Sequence, residues 1–342
     1  MNPVYIDGIG IISRCACSAD ELSALLNKDE SYELHKTGKA DYTSVVPSAK
    51  LRRCSGYTKL AAETAARAAE DGNITSERDK LRIGTIISTG FGAAESNTKF
   101  ADSVVKGEPA LCSPAVFAGT VPNSCVGQIC IIGGYKGVST LLMGGDPLEY
   151  AAMLLNSGKA DTILCGSVEE YFNELVDSIM LSAAAQGCEI SEGAAVLTVS
   201  AEKSDRTYCK AATFGSSSFE ECPYLHEISA EEAEEVISSA IKQLGTDSPD
   251  IVFTCANGTY FDSIEQEILS KIFPQSIFYS PKKLFGETLG SGYMMNISLA
   301  AAVLRKQKLP LSSEMLGFPI KCIAVTGVDM AGNYLCALLE VV

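Results

Sequence analysis

Residues 136–160 read KGVSTLLMGGDPLEYAAMLLNSGKA. The apolar, β-branched run Val138-Ser139-Thr140-Leu141-Leu142 predicts a buried strand. Gly144 and Gly145 predict a tight turn where backbone comes close to another group. Asp146 is a strong N-cap, Pro147 suits the first helical position, and Glu149 stands three residues after the cap. Leu148, Ala151, Ala152 and Leu155 share one helical face, and Gly158 ends the helix. A strand, a glycine turn and a helix form the unit with which many α/β enzymes lift a nucleophile to a helix N-terminus. Here the residues before the turn are Leu141, Leu142 and Met143, and none can attack a carbonyl.

The chain has 342 residues, room for one large core or two fused halves of roughly 170 each. With 46% hydrophobic and 20% charged residues it belongs to the globular class. No apolar run reaches the roughly 18 residues a membrane span needs. Residues 1–15 carry no basic segment and no A-x-A site, so no signal peptide and a cytoplasmic location are expected. The 13 cysteines are scattered, mostly within apolar runs, and the expectation is reduced thiols used as small core groups. Cys15 and Cys17 are too close for a usual metal pair, and only His35 and His226 could assist them, so neither a metal site nor a cofactor is expected. A net charge of −15 makes nucleic acid and anionic membrane poor partners.

Strands are expected over 4–12, 82–89, 138–142, 161–166, 193–200, 208–214, 251–255, 276–279, 321–326 and 334–341, and helices mainly over 18–26, 57–72, 94–105, 147–157, 230–244, 263–272 and 294–306. Residues 113–132 predict a turn, a short helix broken near Pro122, and a second helix; residues 29–48 predict a loop. Alternating strands and helices imply mostly parallel sheet covered on both faces. Residues 1–204 and 205–342 look alike, each with strand-turn-helix units, a glycine-rich loop entering a long helix, and a final pair of strands.

Several stretches, taken in order, resemble the β-ketoacyl synthase family of the thiolase fold. VYIDGIGIIS resembles its first strand, and RIGTIISTGFGA a strand ending in a glycine turn. SPAVFAGTVPNSCVGQI resembles the Ser-Pro-x-x-Phe…Pro-Asn-x-x-x-Gly-x-Ile segment. SGKADTILCGSVEE and SEGAAVLTVS resemble two further strands of that family. The resemblance implies a five-layer αβαβα sandwich of two similar halves.

It also implies a site. Family members take an acyl group on a cysteine and use two histidines to decarboxylate the extender and stabilise the enolate oxygen. The Thr-Ala-Cys-x-Ser-Gly block falls on residues 140–145, which puts Leu142 at the nucleophile position. The first histidine block, His-Gly-Thr, is Asn257-Gly258-Thr259 here, and in the second Glu287 replaces histidine while Lys282 is kept. The Gly-Phe-Gly-Gly turn is eroded to Asp329-Met330-Ala331-Gly332. Leucine cannot be acylated, asparagine is no base near neutral pH, and a charged Glu287 has the wrong sign beside an enolate oxygen. No catalytic residue is therefore expected. Leu142 is either core filling or a tunnel plug; Asn257 satisfies turn backbone; Glu287 pairs with Lys282, with Lys283 or with a partner chain. Relocation of the nucleophile to Cys125 or Cys255 is the remaining option.

Members that lost the cysteine are chain length factors, which pair with an active ketosynthase and limit its acyl tunnel. By that resemblance the chain is expected to form a heterodimer with a ketosynthase in fatty acid, polyketide or aryl polyene synthesis. Residues 138–141 would lie at the dimer interface. Phe117, Thr120 and Ser124, placed on one helical face, would close the partner's tunnel, with Met143 and Met330 also at the tunnel or interface. Acyl carrier protein, itself acidic, would dock on the partner, so its role here is indirect. The alternatives are a catalytically altered acyltransferase and a homodimeric module that binds acyl chains or carrier protein.

Overall fold

The computed structural model describes residues 1–28, 38–75, 77–107, 112–246, 248–310 and 317–342. His35 and most of the first half of the expected 29–48 loop lie outside these residues. The strands are β1 (Val4–Ile12), β2 (Ile83–Thr89), β3 (Ser139–Met143), β4 (Thr162–Glu169), β5 (Gly193–Ser200), β6 (Cys209–Ser218), β7 (Ile251–Phe253), β8 (Ile277–Tyr279), β9 (Cys322–Val328) and β10 (Asn333–Glu340). The helices of the first half are α1 (Ala19–Leu25), α2 (Ser48–Leu51), α3 (Gly56–Asp71), α4 (Ala94–Val105), α5 (Pro114–Ala118), α6 (Ser124–Gly133), α7 (Pro147–Asn156) and α8 (Asn173–Ile179). Those of the second half are α9 (Ala230–Lys242), α10 (Phe261–Ile272), α11 (Lys282–Phe285) and α12 (Gly292–Lys306).

All ten strands form one sheet in the order β3-β2-β4-β5-β1-β6-β10-β9-β7-β8. Counted from the outer edge inward, β3-β2-β4-β5-β1 and β8-β7-β9-β10-β6 have the same local order. Their strand senses also match: two parallel pairings at the outside, then antiparallel ones toward the middle. The two units join where β1 pairs with β6 through Val4–Ala211, Tyr5–Lys210 and Ile6–Cys209.

Side chains alternate across each strand and so feed two layers. On β10, Leu335, Ala337 and Leu339 enter a central core with α7 and α12, while Tyr334, Cys336 and Leu338 meet α9 and α10. On β5, Leu197 and Val199 face the central core, while Ala194 and Val196 face α3 and α6. The result is helix, sheet, helix, sheet, helix: the five layers expected. The α12 helix lies between the two halves of the sheet and is buried from Gly292 to Leu304, which its run of Ala300, Ala301 and Ala302 permits. No helix among the described residues is long and apolar enough to cross a membrane.

Two expectations about placement are corrected. Phe117, Thr120 and Ser124 do not share a helix face: α5 stops at Ala118, and Ser124 opens α6. Gly119 and Pro122 supply the break. The strand expected over 138–142 forms, but β3 is a half-exposed sheet edge and not a buried strand; Leu142 lies within it opposite Ser88 and packs toward the central layer.

The β1 strand packs directly beneath α3, and a Cβ added at Gly10 would lie 2.0 Å from the Thr64 carbonyl oxygen. Gly10→Val is expected to lower stability by about 3 kcal/mol or more, read as a collapse of the urea midpoint.

Candidate functional site at the carboxyl ends of the strands

Three of the expected positions come together. Lys282 opens α11, and its Nζ donates to Glu287 Oε2 at 2.5 Å and to Tyr224 Oη at 2.8 Å. Asn257 Nδ2 donates to the same Glu287 oxygen at 2.7 Å, and the other Glu287 oxygen accepts from Leu289 N–H at 2.6 Å. The Lys282 and Glu287 side chains are 3% and 1% exposed, so this pair is a desolvated one. Burial presses the lysine toward neutrality, but Glu287, with smaller help from Cys255 and Glu265, outweighs it and lifts the pKa above the ordinary lysine value. Of the pairings open to Glu287, the one with Lys282 is made. Asn257 Oδ1 takes the Thr259 N–H and hydroxyl, as an Asn-Gly turn favours. A cleft of about 680 Å³ opens over these groups, lined also by Arg14, Glu189 and Tyr279.

The glycine turn ahead of α7 is a separate element, outside the lining of this cleft. Gly144 and Gly145 both take positive φ, +83° and +84°, which L side chains rarely adopt. Asp146 caps α7 as expected, accepting from Leu148 N–H at 2.7 Å and Glu149 N–H at 3.1 Å. It also accepts from Tyr293 Oη of α12 at 2.9 Å. Gly145 N–H donates to Asp329 Oδ2 at 2.5 Å.

Glu169, at the end of β4, collects four donors: Thr89 Oγ1, Gly90 N–H, Phe91 N–H and Gly290 N–H. It therefore ties the turn after β2 to the loop before α12. Met330 packs against Gly90, where an added Cβ would lie 2.5 Å from Cγ of Met330. Glu169 falls within the SGKADTILCGSVEE stretch that carries the family resemblance, whereas the sequence offered nothing for Tyr224 beyond an aromatic residue in a loop.

The other expected positions lie apart. Phe117 is 57% exposed and rests on Phe100, with ring centroids 5.4 Å apart. Thr120 is buried and donates to the Phe117 carbonyl. Ser124 meets Thr58 at 3.0 Å, and Met143 is exposed at the sheet edge. Neither alternative cysteine is activated: burial pushes the Cys125 thiol up to about 12 and the Cys255 thiol well above its usual value.

Burial is the leading cause that pushes the Asp146 pKa up to about 6 and the Glu169 pKa up to about 7. Both carboxyls keep their protons in the folded chain where the unfolded chain has released them. Their contribution to stability is full below about pH 4 and is lost as pH rises through about 6 and 7. Glu169→Gln is expected to remove a loss on the order of 3 kcal/mol between pH 4.5 and 7.5, read from urea midpoints against the parent chain. For the ion pair, Lys282→Met alone is expected to cost about 3–5 kcal/mol. The double variant Lys282→Met/Glu287→Gln should recover most of it, as a double-mutant cycle would measure.

No family model matches the chain. Solved structures do. The ishigamide ketosynthase/chain length factor aligns with a TM-score of 0.82 at 14% identity, over 100% of this chain and 99% of that one. A ketosynthase in complex with its acyl carrier protein, AntDE:AntF of a type II polyketide synthase, aligns at 0.80 and 16% identity over 100% of both chains. The ketosynthase ApeO with its chain length factor ApeC, from Xenorhabdus doucetiae, aligns at 0.78 and 16% identity over 100% of this chain and 98% of that one. This chain therefore has the thiolase-type fold of the ketosynthases and chain length factors.

Proposed function

We propose that this chain is a ketosynthase-like subunit without condensing chemistry, a chain length factor that pairs with an active β-ketoacyl synthase in fatty acid, polyketide or aryl polyene synthesis. The observation that carries this is the closed Lys282–Glu287–Asn257 cluster. Where a condensing enzyme keeps two histidines facing a thioester, the polar atoms of Asn257 and Glu287 are already bonded within the protein. Leu142 supplies no nucleophile.

A partner surface supports the same view. The β3 strand is an edge, bonded to β2 on one side, and residues 138–143 carry no charge, proline or other guard against pairing. Nearby, α4 buries none of its residues, and Val116, Phe117 and Val121 are exposed beside it. A surface of this kind is what an obligate interface leaves bare in one subunit.

One observation favours direct contact with carrier protein over an indirect role. Residues 43–62 contain Lys50, Arg52, Arg53 and Lys59 and no acidic residue, despite the overall acidity. None of the four pairs with a carboxylate among the described residues. Such a patch suits an acidic protein.

Co-expression with a cognate ketosynthase is expected to give a one-to-one complex that is active only with both chains. Leu141→Arg on the edge strand should abolish it in light-scattering measurements. Phe117→Ala should lengthen the products by at least one extension unit. Carbon–carbon bond formation by the isolated chain would overturn the proposal, and unchanged product length would remove Phe117 from the tunnel.

A further inference from the structure

Asp329 is the least ordinary side chain of the site. It lies in the turn between β9 and β10, is 3% exposed, and meets no cation among the described residues. Four N–H donors surround it. Oδ1 accepts from Ala331 N–H at 2.9 Å and Asn333 N–H at 3.0 Å. Oδ2 accepts from Gly145 N–H at 2.5 Å and Asn333 Nδ2 at 2.8 Å. Three of these donors close its own turn. The fourth belongs to the glycine turn ahead of α7, 184 residues away in sequence.

The turn is pressed into the space between the carboxyl ends of β2 and β3. Met330 covers Gly90, and a Cβ on Gly144 would meet Ala331 Cβ at 2.8 Å and Asp329 Oδ2 at 2.9 Å. Open α/β sheets admit ligands at the carboxyl ends of their strands, and a backbone N–H there donates to an oxyanion or carbonyl oxygen. Gly144 N–H already goes to the Thr89 carbonyl at 3.1 Å, which leaves Gly145 N–H as the donor for an incoming group.

We infer that Asp329 is a tethered carboxylate that occupies the acceptor position at Gly145 and latches the β9–β10 turn over it. The chain carries its own occupant, and a free carboxylate or thioester carbonyl is shut out while the latch is in place. This goes beyond the proposed function and stands whether or not a ketosynthase is the partner.

Removing the side chain tests it. Asp329→Ala should melt several degrees below the parent chain, and sodium acetate at tens of millimolar should restore part of the loss saturably. The parent chain should be indifferent to acetate, and sodium chloride at equal ionic strength should restore nothing. Equal responses to both salts, or equal responses of parent and variant to acetate, would reduce Asp329 to a turn staple. Should Asp329→Ala not fold, Asp329→Asn keeps the size of the side chain and removes its charge. In that variant the Gly145 amide should exchange with solvent about tenfold faster or more, while that of Ala331 changes less. Unchanged Gly145 exchange would overturn the latch.

Discussion

Lys282 and Glu287 hold opposite full charges 2.5 Å apart in a place where water barely reaches them. Taking two ions out of water costs several kcal/mol for each, and their attraction recovers it only when every remaining lone pair and proton is met. Tyr224, Asn257 and the Leu289 amide meet them here. The loop that carries Glu287 is in turn fixed to the first half of the chain, where its backbone N–H donates to the Glu189 carbonyl and its carbonyl accepts from Ser191 N–H. The cluster thereby acts as a joint between the two halves.

The layered fold makes such a joint affordable to the chain because both halves present the same strand order toward the middle. The α7 and α12 helices occupy equivalent places after β3 and β8, and they share the central layer. The Asp146–Tyr293 hydrogen bond links their first turns. Glu169 and Asp329 add two more ties between segments remote in sequence. Carboxylates thus take the N–H groups of three glycine-containing turns, and the centre is filled by the protein's own polar groups.

Much of this was legible. Periodicity located most strands and helices, because both inner faces of the sheets are apolar and the caps are strong: Ser18, Asp146 and Ser229 each accept from the first turn of their helix. Asn257, Lys282 and Glu287 could be placed together by resemblance alone. The short α8 helix was missed, since seven residues with one buried side chain leave little pattern. The strand at 138–142 reads as buried because an apolar run does not say whether it lies at a sheet's edge. The break near Pro122 reads correctly, and placing Phe117, Thr120 and Ser124 on one helical face runs against it. The roles of Glu169 and Asp329 depend on contacts 79 and 184 residues distant, which no local pattern encodes.

The bare β3 edge has a consequence for the life of the chain in a cell. An uncharged strand with free N–H and C=O groups can pair with any extended segment it meets, including another copy of itself. Newly made molecules would remain sticky until that edge is covered. Under the pairing proposed above, supply of the covering subunit would then govern how much of this protein survives proteolysis and aggregation.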